Sequence, residues 1–496
     1  MSNKNQKGLS KTLGTWEVMV SSIALVVAAS SLVSDFAGYF TLGSAFTLAL
    51  VLGFIINMLL GFSAADLGVA YPRSGALYDY ARAIFGGKRG QFIGVFLGLS
   101  FFGMFIFAIS GEVVAGAFGL QALFHSGLDI RYFILILSVL AVIPNIFGIR
   151  TTAWVSAFLL LFMLGIRWFF GIAGLLGLGE TGAWAMENLD SGVDVFDWFG
   201  EKGILTAGLA LAIWGFIGIE SACSLAEEVK QPKKSLPKGI VLGLIIILAT
   251  SLVMGLGITG TAPLSVWQDA MNSGIGANGD APQLAVGQMM FGEIGYLLMA
   301  LSSVAATLGS LVVAYAAIPR IIYSIARDGR FFGRLSKTFG TLHVKHHTPI
   351  AAILFTFILS IIPALFSSAV IDWVYSAAYV WIILYAAFHL LALTNRIFHP
   401  DSPKAFTGRW FKPMTILGVA ATLTGLYYAF AGAHFHYGIR ALVVLIGALV
   451  ATGISFLLPS ATETGESEGL LEISEAEIMT DLIGAHSLVF EEELVD

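Results

Sequence analysis

Four ionisable side chains stand in stretches that are otherwise apolar. Asp35 lies in AASSLVSDFAGYF (28–40), Glu112 in FAISGEVVAG, Arg167 in LFMLGIRWFFGIAG and Glu220 in WGFIGIES. In a bilayer, an aspartate or arginine at a helix centre costs roughly 2.5–3.5 kcal/mol on insertion scales. An acid kept at that cost can hold a cation, accept from freed backbone N–H groups or carry a proton; an arginine keeps its charge and serves as a fixed cation. Asp35 has two readings. It is the anionic partner of a cationic ligand or of Arg167, or it sits near the outer interface in a wet vestibule. Glu112 falls toward the outer end of its run, in reach of solvent. No nucleophile–base pair accompanies these groups, so an enzyme is not expected. His343, His346 and His347 lie in a basic stretch with no cysteine and few acids, so no metal is expected. No Gly-x-x-x-x-Gly-Lys-Ser/Thr loop occurs, so direct ATP drive has no support, and no cofactor is expected.

The composition says what holds these residues. Of 496 residues, 57% are hydrophobic and only 12% charged, with a mean hydropathy of +0.85. A soluble protein this large could not cover its surface with so few charges. The chain reads as an all-α polytopic membrane protein with membrane lipid as a partner and no nucleic acid. Its single cysteine, Cys223, excludes an internal disulfide. The polar, basic N-terminus leads into a run too long for a signal-peptide core, so no cleaved targeting segment is expected.

About twenty apolar residues cross a bilayer core. That rule gives about twelve spans, near 17–40, 44–70, 90–118, 131–149, 152–178, 203–226, 238–260, 291–325, 348–367, 370–396, 412–432 and 439–459. A long loop, PLSVWQDAMNSGIGANGDAPQLAVGQ, separates the seventh from the eighth. With the N-terminus inside, 22 of the 26 Lys and Arg residues fall on inside segments and 3 on outside ones. That asymmetry predicts both termini in the cytoplasm of a plasma-membrane protein. The chain divides into a cytoplasmic N-terminus (1–16), spans one to five (17–200), spans six to ten (201–400), two further spans (401–459) and an acidic tail (460–496). The tail carries 11 acidic residues and no Lys or Arg. It reads as a solvating extension, with LLEISEAEIMTDLI able to form a short amphipathic helix over a basic face.

Three inside stretches, ADLGVAYPRSGALYDYARAIFG (65–86), GFIGIESACSLAEEVKQPKKSLPKGI (215–240) and IPRIIYSIARDGRFFGRLSKTFGTLHVKHHTPIAAIL (318–354), together resemble the amino acid–polyamine–organocation (APC) transporter superfamily, amino acid permease type. The resemblance covers about residues 15–400. It implies a LeuT-like fold, a five-plus-five inverted repeat with helices 1 and 6 broken, where freed backbone groups bind substrate and ions. Helix-weakening clusters fall in the two corresponding helices, AASSLVSD and WGFIGIES.

The resemblance also implies site residues. Trp214, Gly215, Phe216, Gly218, Ile219 and Glu220 match the family's Gly-x-x-Gly-x-Glu region. There two glycines let the backbone leave helical geometry, Phe216 closes over substrate, and Glu220 braces the unwound chain or moves a proton. The alternative is a close crossing of small residues. In the first helix, Ala29, Ser30 and Ser31 take the place of a Gly-Ser-Gly-like core whose amides hold a substrate carboxylate, followed by Ser34 and Asp35. The missing glycines depart from the pattern. Arg167 stands where the family often has a lysine that occupies a sodium position, and it is read as a fixed cation. Phe105, Phe107 and Ser110 of the third helix and Tyr375 and Tyr379 of the tenth are further candidates, with packing the plainer reading. The expected function is a secondary active transporter of an amino acid by alternating access, proton-coupled or exchanging. The alternatives are a transporter of a non-carboxylate amine such as ethanolamine or a polyamine, and a nutrient sensor that does not transport. Oligomeric state is left open.

Overall fold

The structure is a computed structural model that describes residues 9–125, 127–194, 198–200, 203–272, 281–431 and 435–460. The acidic tail from 461 onward lies outside the described residues. The chain runs through seventeen α-helices among these residues: α1 (Thr15–Val26), α2 (Ala29–Leu42), α3 (Ala45–Ala70), α4 (Leu77–Phe85), α5 (Gly87–Leu123), α6 (Ile130–Ile146), α7 (Ile149–Leu175), α8 (Leu209–Trp214), α9 (Pro232–Thr259), α10 (Leu264–Asn272), α11 (Pro282–Ala317), α12 (Pro319–Arg327), α13 (Leu335–Phe339), α14 (Ile350–Phe366), α15 (Val370–Phe398), α16 (Phe411–Ala431) and α17 (Phe435–Leu457). The described residues form no strand, only an isolated bridge between Leu13 and Val229.

Eight helical segments among the described residues are long and apolar enough to cross a membrane, and the bent pair α1–α2 makes a ninth. The shorter apolar helices α6 and α14, with α16, fall on the remaining expected spans. Large apolar side chains such as Phe158, Leu161 and Ile358 point outward, as a lipid-facing surface requires.

Both expected breaks are present. α1 and α2 meet at 55° across Val27 and Ala28. The sixth span is one helix only by composition: it starts as a π-turn (Ile204–Gly208), continues as α8, and resumes after Gly215–Gly218 as a 3-10 segment, Ile219–Glu228. Gly218 has φ +109°, a left-handed conformation that a side chain disfavours. A Cβ there would lie 3.1 Å from the Leu25 side chain, so the two breaks pack directly on each other. Glycines also let α7 and α9 touch. A Cβ on Gly257 would lie 2.1 Å from the Gly171 carbonyl oxygen.

The connection between the seventh and eighth spans differs from the expected loop. Its first part is α10, held by Trp267, which stacks on Phe40 at 5.3 Å and donates to the Thr259 carbonyl at 3.2 Å. Its last part already belongs to α11, which Pro282 opens and which kinks at Phe291 and Gly292. The local polarity that suggested a loop is that of a short helix with one buried face. Past Ala317 the chain continues almost directly into α12.

Candidate functional site

The breaks enclose a cavity. Its empty volume is about 400 Å3 with the mouth included, and it is lined from the first span by Leu25, Val26, Ala28 and Ser30. α5 contributes Phe105, Ala108, Ile109 and Glu112; the sixth span contributes Trp214, Ile217 and Gly218; α11 contributes Ser310, Leu311 and Ala314; α15 contributes Trp381. A largely apolar and aromatic wall with a few placed polar groups is the usual make-up of a small-molecule site.

Several backbone groups at the first break find partners within the chain. Ala29 N–H donates to Glu112 Oε1 at 2.8 Å and Ser30 N–H to Glu112 Oε2 at 3.0 Å. These are two of the four amides that a helix start leaves without an intrahelical acceptor. Thr307 Oγ1 donates to Glu112 Oε1 at 2.6 Å, from an α11 that comes close because Gly116 faces Thr307; a Cβ on Gly116 would lie 2.3 Å from Thr307 Oγ1. The freed carbonyls are taken as well. Arg167 Nη2 and Ser31 Oγ both donate to Ala28 O, at 2.7 Å each, and Ser310 Oγ donates to Leu25 O at 3.1 Å.

The second break is held by Glu220. Its Oε2 accepts from Gly218 N–H at 3.2 Å and its Oε1 from the Trp381 indole N–H. Trp214 Nε1 donates to Ser30 Oγ at 3.3 Å, joining the two breaks across the cavity.

Of the residues singled out from the sequence, Ser30, Trp214 and Gly218 line the cavity. Ala29 and Ser31 shape the break behind it. Ser34 donates to Leu211 O at 3.0 Å and is turned toward the sixth span. Phe216 is fully buried edge-on to Phe54, 6.0 Å between ring centres, rather than over the cavity. Gly215, Ile219 and Glu220 sit behind the lining. Phe105 lines the cavity, while Phe107 stacks on Trp373, Ser110 donates to Ser360 O, and Tyr375 and Tyr379 stack on Tyr437.

Two acids stand in places other than expected. Asp35 is not in a wet vestibule: it is buried, Ser251 Oγ on α9 donates to its Oδ2 at 2.7 Å, its Oδ1 has no hydrogen-bond partner among the described residues, and Arg167 lies within its electrostatic reach without a direct ion pair. It lies six residues beyond the start of α2, on the face turned to α9. Glu112, expected to be solvated, is 3% exposed and bridges α2 to α11. Its sequence neighbours are apolar or small. Only the break that it fills, 83 residues away, identifies it.

At one end of the bundle the broken helices are tied shut. Arg320 pairs with Glu228 through two hydrogen bonds, 2.6 and 3.1 Å, both side chains 2% exposed. Glu228 O also accepts the amides of Thr12 and Leu13, each at 2.9 Å, which joins the start of the first span to the end of the sixth. Arg327 pairs with Glu227 at 3.0 Å, Ser74 Oγ donates to Glu227 at 2.9 Å, and Arg82 and Tyr78 both donate to Asp328. Asp79, in α4, accepts from Gly75 N–H at 2.8 Å; burial pushes its carboxyl above the ordinary value, against the opposing pull of Arg327 and Arg73.

A helical membrane protein whose first and sixth spans break around a shared cavity belongs to the class of broken-helix transporters. Comparison with known proteins gives the family. The profile described as "Amino acid permease" matches residues 13–451. The chain belongs to that family. It is 26% identical over 415 residues to the branched-chain amino acid permease BcaP of Bacillus subtilis, covering 81% of this chain and 84% of that protein. It is 22% identical over 472 residues to the inner membrane transport protein YbaT of Escherichia coli, covering 94% and 100%. It is 28% identical over 294 residues to the vacuolar cationic amino acid transporter 4 of Arabidopsis thaliana, covering 55% of this chain and 45% of that protein.

Proposed function

We propose that the protein is a secondary active transporter that moves an amino acid or a closely related small organic amine by alternating access. The observation that carries this reading is the cavity at the junction of the two breaks, together with the ion-paired end that closes it on one side. Access from that end requires the ties between the first, sixth and eighth spans to open as a unit. That is the bistable element which alternating access needs. The basic residues concentrate at this end, and the reading places it in the cytoplasm of a plasma-membrane protein with both termini inside. Proton symport and substrate exchange both fit. Arg167 cannot release a proton and acts as a fixed cation on the first break. If a proton moves, Glu112, Glu220 or Asp35 carries it.

Counterflow in proteoliposomes tests the reading. Vesicles preloaded with unlabelled solute should accumulate the labelled form, without an added energy source, for a narrow set of amino acids or amines. Binding of such a solute with no counterflow or gradient-driven uptake would mean a sensor instead. A second reading, the transport of an amine without a carboxylate, is favoured by the Glu112 carboxylate on the α2 amides.

A further inference from the structure

A helix start inside a membrane is an anion site. Its first amides lack intrahelical acceptors, and the aligned peptide dipoles place partial positive charge there. In this protein that place is already filled. The Glu112 carboxylate spreads across the α2 N-terminus with one oxygen on each of two amides, 2.8 and 3.0 Å, and Thr307 clamps it at 2.6 Å. The arrangement is that of a carboxylic acid ligand bound to a helix start, supplied by the chain itself. The carbonyls of the same break are occupied too, Ala28 O by Arg167 and Ser31 and Leu25 O by Ser310.

The charge balance of the cavity follows from this. Among the described residues, Glu112 is the only ionisable side chain that lines it, and no cationic side chain faces it. Arg167 lies behind Ala28, donates to its carbonyl and stands within electrostatic reach of both Glu112 and Asp35, two carboxyl groups against one guanidinium. The other lining groups that can meet a ligand include the aromatic rings of Phe105, Trp214 and Trp381. A buried carboxylate beside three aromatic rings favours a cation and repels a second carboxylate.

We propose that Glu112 is the specificity-determining residue of this site. It takes the position of a ligand carboxylate on the α2 amides, so that the preferred solute is a primary amine bearing no carboxylate. The solute's ammonium lies against Glu112 and its body lies among Phe105, Trp214 and Trp381. The inference rests on the transporter reading only for the location of the solute, because it concerns what binds rather than whether it moves.

The test uses the purified full-length chain and matched pairs: leucine with isoamylamine, phenylalanine with phenethylamine, alanine with ethylamine, serine with ethanolamine. Binding is read from thermal shift and tryptophan fluorescence, and transport from counterflow with the same compounds. In at least one pair the amine should bind roughly tenfold more tightly or better than its amino acid. Glu112→Gln, which removes the charge but keeps an oxygen for an α2 amide, should erase that preference. Tighter binding of the amino acid in every pair that binds overturns the proposal, as does an amine preference unchanged in Glu112→Gln. If the variant does not fold, the wild-type pairs decide alone. Amine binding without counterflow upholds the proposal and removes the transporter reading. Counterflow of amino acids with no binding of amines does the reverse.

Discussion

Two groups of buried charge lie in this protein, and they are built in opposite ways. At the α4–α12 end, acids and bases meet as ion pairs: Arg320 with Glu228, Arg327 with Glu227, Arg82 with Asp328, and nearby Arg396 with Asp66. Around the cavity the acids make their direct contacts with backbone, hydroxyl and indole groups, and Arg167 acts on Asp35 and Glu112 only at a distance. Glu112 holds amides, Glu220 holds Gly218 N–H and an indole, Asp35 holds a serine, and Arg167 holds a carbonyl. A paired charge locks one arrangement and is costly to separate. A charge held by dipoles keeps its field available to a ligand. The difference separates a latch from a recognition site.

The largest effect is expected at the latch. Arg320→Ala strands Glu228 in a buried position and should cost about 3–5 kcal/mol of stability, read by thermal unfolding in detergent. Arg320→Met with Glu228→Leu should recover most of the loss. A drop no greater than that from replacing the exposed Arg131 would contradict the pairing. Next comes the second break. Trp381→Phe removes the indole N–H from Glu220 and should cost about 1.5–3 kcal/mol, with loss of counterflow. Gly218→Ala forces a side chain into φ +109° and toward Leu25, and should cost about 1–2 kcal/mol. A subtler probe is Arg167→Lys. A buried lysine can lose its proton where an arginine cannot, so transport should acquire a new dependence on pH. Identical pH profiles would remove Arg167 from the coupling chemistry. The smallest effect is expected from Asp35→Asn, because Asp35 faces Ser251 rather than the cavity. Ligand affinity should stay within about threefold, and a larger loss would put Asp35 in the site.

How far the sequence reaches follows from which interactions are local. The spans are legible from apolar run length, and the breaks from Gly215 and Gly218 and from the serine cluster at 30–34. These are properties of neighbouring residues. α10 is harder to see, because nine residues of mixed polarity read as a loop until Trp267 is stacked on Phe40. The directions of Asp35 and Glu112 are not legible at all. One turns toward Ser251, 216 residues on, and the other toward Ala29 and Thr307, 83 residues back and 195 residues on. Such pairings depend on which face of a helix meets which neighbour. In spans apolar all round, the pattern does not reveal that face. Phe216 shows the same limit. Its place beside Gly218 suggests a cavity ring, but the turn at Gly215–Gly218 points it at Phe54 and leaves Trp214 on the wall.

If solute binds in the cavity and crosses through it, filling the cavity must stop exchange. Ala108, on the α5 wall, faces it with a side chain of one carbon. Ala108→Trp would fill the space without removing an ion pair or a hydrogen bond that holds either break. Counterflow in proteoliposomes, compared between the wild type and Ala108→Trp at equal amounts of folded protein, is the direct test. The account predicts exchange by the wild type and none by the filled cavity; undiminished exchange by Ala108→Trp would contradict it.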